Sequence, residues 1–420
     1  MVGREPIHSV DVVVVGGGPV GLAAAIGARL CGCDVIVVEP RGAPVDKACG
    51  EGLMPGAVAA LEKLGVQPHG HPIAGITYLS AAHPSWRSAQ HDFRSGAGVG
   101  MRRTALSAVL TERAVSCGVQ FRQAKVESLV QDAWGVTIAL AGGSSIRCRW
   151  LLGCDGLHST VRALIGLEPG GSGSGNGGGD PGDGNGGAGL GRRQHGAAAR
   201  AQRRYGLRQH FVVEPWSDHV EVYWSPHFEL YVTPVDERMI GVAVLGHHGL
   251  DLASAIAATP ALAARLTGVS IDSSVRGAGP LRQRVTKHAE GRVLLVGDAS
   301  GYVDALTGEG LRVGFGQAAA AVAALSAWAE ESPLEPELSA SAASPSRRTG
   351  AKVTSVVSAA TAATVAERYE RGWVRASRGP NRFTAGLLAA SRTPLRHAFV
   401  PVGAHIPALF STAVEHLSGP

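Results

Sequence analysis

Cysteine, aromatic residues and long apolar runs are all scarce in this chain of 420 residues. Six cysteines at this length are too few for a disulfide framework. Cys31 and Cys33 form a C-x-C pair with no second pair nearby to complete a zinc site, and Cys117, Cys148 and Cys154 stand alone and are expected to be buried. His69 and His71, and His247 and His248, lack a further ligand at metal-binding spacing, so no metal is expected. Aromatics make up 5% of the residues and do not interleave with the arginines around Arg192 to Arg208, which argues against nucleic acid. The net charge of +5 is modest and fits a small anionic ligand or a membrane surface equally well. Met1 to Ser9 lacks the apolar run of a signal peptide. The longest apolar stretch, Val313 to Ala329, contains Gln317 and is short for a spanning helix. The expectation is a soluble, cytoplasmic protein.

Glycine is plentiful, and its placement carries most of the information. Val12 to Val15 reads as a strand buried on both faces. Gly16-Gly17-Gly18-Pro19-Val20-Gly21 follows as G-x-G-x-x-G, then an Ala-rich helix from Leu22 to Leu30 and a second strand, Val35 to Val38, ending in Glu39. Gly16 permits the tight turn, Gly18 lets a pyrophosphate approach the backbone, and Gly21 lets the helix pack on the strand. The helix start, with Pro19 and Val20, offers unpaired N–H groups to phosphate, and Glu39 is placed to accept hydrogen bonds from an adenosine ribose. Strand, glycines, helix, strand and acid in register indicate a dinucleotide.

A second motif selects the dinucleotide. Val293 to Val296 is another buried strand, ending in Gly297-Asp298-Ala299-Ser300-Gly301. Thr307-Gly308-Glu309-Gly310 and a helix through about Trp328 come next. A nicotinamide enzyme has no use for a Gly-Asp turn so far from its fingerprint, whereas a flavin extends well beyond its adenosine half. Asp298 is placed to accept from ribityl hydroxyls, and the helix opening at Gly308 to Gly310, Glu309 among them, to aim N–H groups at the flavin N1–C2=O edge. The cofactor expected is FAD.

Together with a third segment, Asp155-Gly156-Leu157-His158-Ser159-Thr160-Val161-Arg162, these motifs resemble the three signatures of the para-hydroxybenzoate-hydroxylase-like FAD-dependent oxidoreductases. That superfamily contains single-component flavin monooxygenases and geranylgeranyl reductases. The resemblance implies that Asp155 and Arg162 serve FAD and NAD(P)H binding near the pyrophosphate, and that Arg103, opening a helix, contacts the flavin. Asp46-Lys47-Ala48-Cys49-Gly50-Glu51-Gly52-Leu53 is similar to the cysteine loop of the geranylgeranyl reductase branch, which runs past the isoalloxazine ring. Cys49 is therefore a candidate catalytic residue, with filling of a tight loop as the other reading.

The resemblance implies one of two reactions. In the first, NAD(P)H binds transiently, since there is no second G-x-G-x-x-G, and reduced FAD forms a C4a-hydroperoxide that hydroxylates an apolar aromatic or polyketide-like molecule. The alternative is reduction of isoprenoid or quinone side-chain double bonds. The local sequence does not decide between them, and a flavin-binding scaffold without turnover is the reading outside enzymology.

The expected fold is α/β: a Rossmann-type FAD-binding domain (1–75, 96–168 and 276–331) with an inserted mixed or antiparallel β-sheet substrate domain (76–95 and 205–275). Its strands are read at Leu207 to Val213, Val220 to Trp224, Leu230 to Val232 and Ile240 to Leu245, with Ile76 to Leu79 added. Trp216, Tyr223, Trp224, Phe228 and Tyr231 concentrate there, either around an apolar pocket or packing the sheet. A Gly-rich insertion (169–204) is expected to be disordered, and a linker (332–352) leads to a helical C-terminal region (353–420). Tyr369 to Trp373 and Leu387 to Leu395 carry apolar residues and arginines at helical spacing, which fits a packed helix or a peripheral membrane contact.

Overall fold

The computed structural model describes residues 8–42, 44, 46–82, 88–168, 203–331 and 350–419, so most of the Gly-rich insertion and most of the 332–352 linker lie outside the described residues. Its first sheet runs in the order Ala289–Glu290, Val293–Leu295, Ser145–Gly153, His8–Val15, Val35–Val38, Gln120–Arg122. The central members are parallel: Val13 lies opposite both Leu151 and Ile36, and Leu151 opposite Val293. A hairpin, Val126–Gln131 and Val136–Leu140, adds antiparallel to Ser145–Gly153. Val12 to Val15 are buried on both faces of the sheet, as a continuous run of β-branched residues requires.

The helix after the fingerprint begins at Pro19, three residues earlier than its apolar pattern indicates, and ends at Leu30. Proline at the first helical position has its φ already set and no N–H to waste, so the turn passes directly into helix. Helices Pro19–Leu30, Arg103–Ser116 and Gly310–Glu331 cover one face of this sheet, sharing a core with Tyr369 from the long helix Gly350–Ser391. Cys148 and Cys154 are buried, but Cys117, expected to be buried, is only half-buried because it caps the end of Arg103–Ser116.

The second sheet is mixed, in the order Ser270–Ile271, Arg204–Val212, Met239–His247, Phe228–Asp236, His219–Trp224, Gly75–Ser80, Ser88–Asp92. Its single parallel pairing joins His219–Trp224 to Gly75–Ser80, so two strands from early in the chain, Gly75–Ser80 and Ser88–Asp92, extend a sheet otherwise made between residues 204 and 278. The C-terminal pattern also breaks once. Leu387 to Leu395 reads as one helix, yet Gly350–Ser391 stops and a short 3-10 turn, Pro394–Ala398, follows. Pro394 disfavours helical backbone at Thr393, which sits extended at ψ 170° and caps the turn with its hydroxyl. Two short helices, Phe399–His405 and Pro407–Ser418, complete the described chain. Among the described residues no single helix is long and apolar enough to cross a membrane; the last two, bent by 105°, pass by length and composition only as a pair.

Candidate active site

One cavity of about 550 Å³ runs from the fingerprint turn to the second sheet. At its first end Gly16 has φ +110°, and a Cβ there would lie 2.5 Å from the carbonyl oxygen of Cys154. A Cβ at Gly21 would lie 2.0 Å from the carbonyl oxygen of Gly16, so only glycine lets this helix seat on its strand. Gly16, Gly18, Pro19 and Val20 line the cavity; Gly21 stands behind them. No side chain caps the helix start, which leaves its first N–H groups for an anion.

Arg103 lies across from this turn, its Nη2 3.6 Å from where a Cβ on Gly18 would be. It is buried, its Nε has no hydrogen-bond partner, and desolvation pulls its pKa below the usual arginine value despite nearby Cys49, Asp298 and Glu51. A buried unmade donor costs about 1–3 kcal/mol. A desolvated cation beside uncapped helix N–H groups fits the pyrophosphate of a dinucleotide.

Glu39 lines the same end. Burial pushes its pKa up, but hydrogen bonds from Arg41 and the Gly17 N–H outweigh that and hold it below the usual value. One carboxylate oxygen accepts from Gly17 N at 2.8 Å, the other from Arg41 Nε at 2.8 Å. The acid read as a ribose acceptor is thus also the clasp that holds the glycine turn.

The Gly-Asp motif meets the fingerprint directly. A Cβ on Gly297 (φ +69°) would approach Val20 Cγ1 to 3.1 Å, and one on Gly314 would approach Val20 Cγ2 to 2.4 Å. Gly297 N donates to Gln317 Oε1 at 2.7 Å, fixing the turn to the helix that follows. Asp298 lines the cavity, partly exposed, with Lys47 Nζ 3.8 Å from its carboxylate. Gly308 and Gly310 line it too, but Glu309 does not: it is buried against Arg312, and burial pushes its pKa up.

The third motif corrects one reading. Arg162 does not line the cavity. Only 2% exposed, it donates to the carbonyl oxygens of Ala299 at 3.1 Å and Leu157 at 3.0 Å, bracing the third motif against the Gly-Asp turn from behind. Asp155 does line the cavity, yet its carboxylate is spent locally, accepting from Ser159 Oγ at 2.6 Å and Val161 N at 3.0 Å. Burial raises its pKa. The motif's charged groups here shape the walls.

Cys49 lines the cavity on the loop from Asp46 to Gly52, its Sγ 3.5 Å from the Glu51 N–H. This loop carries a cluster that the sequence reading missed. Glu51 is the one described non-glycine residue with positive φ, at 61°, a strained conformation that persists only where the surroundings impose it. They do so here. Its carboxylate accepts from Arg103 N at 2.8 Å, meets His210 Nε2 at 2.6 Å, and lies 3.5 Å from Arg208. Arg208 also grips Asp46 at 2.6 Å, joined there by Arg276 at 3.1 Å. Burial raises the Asp46 pKa, but these two arginines more than reverse it. The loop bearing Cys49 is thereby latched to strand Arg204–Val212.

Beyond the loop the cavity wall is the second sheet, with Ile76, Val220, Val222, Ala243 and Leu245 facing it and Leu306 and Leu417 closing the side. Of the aromatics expected around a pocket, only Tyr231 lines it; Trp224, Tyr223 and Phe228 pack the sheet, and Trp216 lies under Arg265. Tyr78, not singled out from the sequence, takes their place, held edge-on by Trp224 at 5.4 Å and Phe410 at 4.9 Å. Tyr231 donates to Leu306 O at 2.8 Å. Behind this wall Glu229 binds Arg204 and Arg396 at 2.6 Å each, and Arg204 binds Asp304 at 2.9 Å, a buried set joining the sheet, the C-terminal turn and the loop before Leu306.

An uncapped Rossmann turn, a buried arginine and a Gly-Asp turn around one elongated cavity fit a bound flavin dinucleotide. Residues 9–177 match the FAD binding domain family. Over 322 residues the chain is 28% identical to 12-dehydrotetracycline 5-monooxygenase/anhydrotetracycline 6-monooxygenase of Streptomyces rimosus, covering 73% of this chain and 60% of that protein. Over 162 residues it is 33% identical to rifampicin monooxygenase of Streptomyces venezuelae (37% and 34%), and over 167 residues 34% identical to menaquinone reductase of Mycolicibacterium smegmatis (37% and 40%). The chain thus spans between about a third and three fifths of these curated relatives. A geranylgeranyl bacteriochlorophyll reductase-like structure from Thermoplasma acidophilum superposes with TM-score 0.68 at 16% identity, covering 99% of this chain and 93% of that one, which shows the shared fold. The expectation of an FAD-binding domain is borne out over residues 9–177, and these matches support FAD as the cofactor.

Proposed function

We propose that this protein is an NAD(P)H-dependent FAD monooxygenase that hydroxylates an apolar aromatic or polyketide-like small molecule. The observation that carries this reading is the continuity of the cavity: the space beside Asp298 and Gly308 opens directly onto the apolar wall of Ile76, Val220, Val222 and Leu245. Similarity to tetracycline and rifampicin monooxygenases supports it. FAD, reduced by NAD(P)H that binds only transiently, supplies the oxygen-activating chemistry.

The chain's own residues bind, orient and exclude water. Arg103 and the uncapped helix start hold the pyrophosphate, Glu39 the ribose, Asp298 the ribityl chain, and the N–H groups at Gly308 to Gly310 the pyrimidine edge of the ring. The apolar wall of Ile76, Val220, Val222 and Leu245 would exclude water from a flavin held in this cavity. The Tyr78 hydroxyl has no hydrogen-bond partner among the described residues, and burial raises its pKa, so it stays a neutral phenol able to donate to a polar substituent of the substrate. The test is turnover of polycyclic aromatic polyketides with NADPH under ¹⁸O₂. One labelled oxygen atom in the product supports the reading; product without label, formed at the rate of NADPH consumption, overturns it.

Cys49 favours a second reading, reduction of an isoprenoid or quinone side chain, because it lines the cavity in a loop similar to that of reductases. Replacement of Cys49 by alanine separates the two. Oxygenation leaves turnover within about threefold, whereas participation in reduction lowers kcat by about 10²-fold or more.

A further inference from the structure

The turn that brings Gly308 to the cavity, residues 304–308, is tied to other elements at successive positions. The Asp304 carboxylate accepts from Arg204 Nε at 2.9 Å and Nη2 at 3.3 Å, and its Oδ1 also accepts from Leu306 N at 3.1 Å. The carbonyl oxygen of Leu306 accepts from the Tyr231 hydroxyl at 2.8 Å. The Thr307 hydroxyl meets that of Thr384, on the long helix Gly350–Ser391, at 2.8 Å. Gly308, at φ +70°, then closes the turn by donating its N–H to Ala305 O at 3.1 Å. Leu306 is buried, and side chains satisfy both its N–H and its C=O.

Two of these ties come from one strand of the second sheet. Glu229 and Tyr231 stand two residues apart on Phe228–Asp236 and so share a face. Glu229 reaches the turn through Arg204, which it binds at 2.6 Å, while Tyr231 reaches it directly. The same strand lines the cavity with Tyr231 and Thr233, and its neighbour adds Ala243, opposite Tyr231 in register. The sheet that walls the apolar part of the cavity is thus joined to the turn at the other part. The two ties differ in kind. Arg204 and Asp304 are a buried ion pair, and removing either leaves a charge without its partner. Burial raises the Tyr231 pKa, so its hydroxyl is a neutral donor that can be removed with the ring left in place.

We propose that Tyr231 is a positioning residue for the flavin: through Leu306 it sets where the N–H groups of Gly308 to Gly310 stand against the pyrimidine edge of the ring. This role rests on the reading, made above, that those N–H groups meet that edge. Donors there favour the negative charge of the reduced ring, so a turn that drifts from its place lowers the reduction potential. Tyr231 acts through the turn and need not touch the reacting atoms. The role is the same whether the flavin oxygenates or reduces.

The experiment is an anaerobic titration of the FAD-loaded protein with dithionite against a reference dye, which gives the midpoint potential of the bound flavin without substrate or NAD(P)H. Tyr231→Phe is expected to keep its flavin and to weaken stabilisation of the reduced form by about threefold to tenfold, a fall of about 15–30 mV for a two-electron couple. Tyr223→Phe is the control. It loses a comparable bond, to Glu221 at 2.7 Å, but packs in the core on the other face of the sheet, so it is expected to lower Tm and leave the potential unchanged. Gly308→Ala has room for its Cβ, 3.7 Å from Met54 Cε, but not the backbone freedom for φ +70°, so it disturbs the turn itself and is expected to shift the potential. A wild-type potential in Tyr231→Phe beside a shifted one in Gly308→Ala overturns the role of Tyr231 alone. If neither variant shifts it, the placement of the turn at the flavin edge falls as well. Equal shifts in Tyr231→Phe and Tyr223→Phe also overturn the role, because general loosening of the sheet would then account for both.

Discussion

Asp298 and Arg103 both line the cavity, and in the proposed reading they act on different parts of one ligand. Arg103 is desolvated and short of a partner, so it gains from a bound anion; Asp298 is only partly buried and keeps a weak contact with Lys47. Asp298→Ala removes an acceptor without opening a core cavity. It is expected to yield folded protein depleted of flavin, seen as a lower ratio of visible flavin absorbance to protein absorbance. A normal flavin content with unchanged stability would remove Asp298 from the ribityl role. Glu51 carries the opposite lesson. Its value is structural, since its carboxylate fixes the start of Arg103–Ser116 and holds His210. Glu51→Ala removes the acceptor for Arg103 N and the partner of His210 Nε2, while Arg208 keeps Asp46, and is expected to destabilise by about 1–3 kcal/mol, read as a shift in the denaturant midpoint.

At the scale of elements, the fingerprint helix and the Gly-Asp helix are keyed by one side chain. Val20 fills the space that Gly297 and Gly314 leave. Gly314→Ala would place a methyl 2.4 Å from Val20 Cγ2 and is expected to cost about 1–3 kcal/mol together with flavin retention. Adding Val20→Ala relieves the clash, so the double variant is expected to be more stable than Gly314→Ala alone. The long helix Gly350–Ser391 is tied to the Rossmann sheet through Glu370, which accepts from His288 N at 2.6 Å and meets His288 Nδ1 at 2.7 Å. Burial raises the Glu370 pKa, but these bonds to His288 outweigh it and depress it. A depressed carboxylate contributes stability that is present above its unfolded pKa and is lost as pH falls through the folded one. Glu370→Gln should therefore lower Tm at neutral pH, with the gap to wild type closing as pH falls below the usual carboxylate range. A gap independent of pH would assign the loss to packing.

Over the whole molecule, legibility followed the range of the interactions. The Rossmann half was readable because its determinants are local: a buried β-branched run, glycines at fixed spacing and a proline at the helix start. The second sheet was readable in outline, but its strands were cut short. Leu230 to Val232 extends to Phe228–Asp236 because Glu229 interrupts the apolar pattern while being wholly buried by two arginines from elsewhere. The same reason hid the cluster around Glu51, whose partner His210 lies 159 residues away and meets it only after Arg204–Val212 has folded against the cysteine loop. Arg162 shows the converse failure. Its motif is local and legible, but which side of the wall its guanidinium faces depends on Ala299, a distant carbonyl. Sequence spacing therefore locates a cofactor site better than it assigns the charged side chains within it.

If this cavity holds FAD for oxygen activation, as proposed, rapid mixing shows it most directly. The purified yellow protein is reduced anaerobically with NADPH and mixed with oxygenated buffer in a stopped-flow spectrometer, with and without a polycyclic aromatic substrate. The expected result is a transient absorbing in the near ultraviolet before the oxidised flavin spectrum returns. Single-phase reoxidation without any transient, unchanged by substrate, would contradict the monooxygenase reading and favour the reductase.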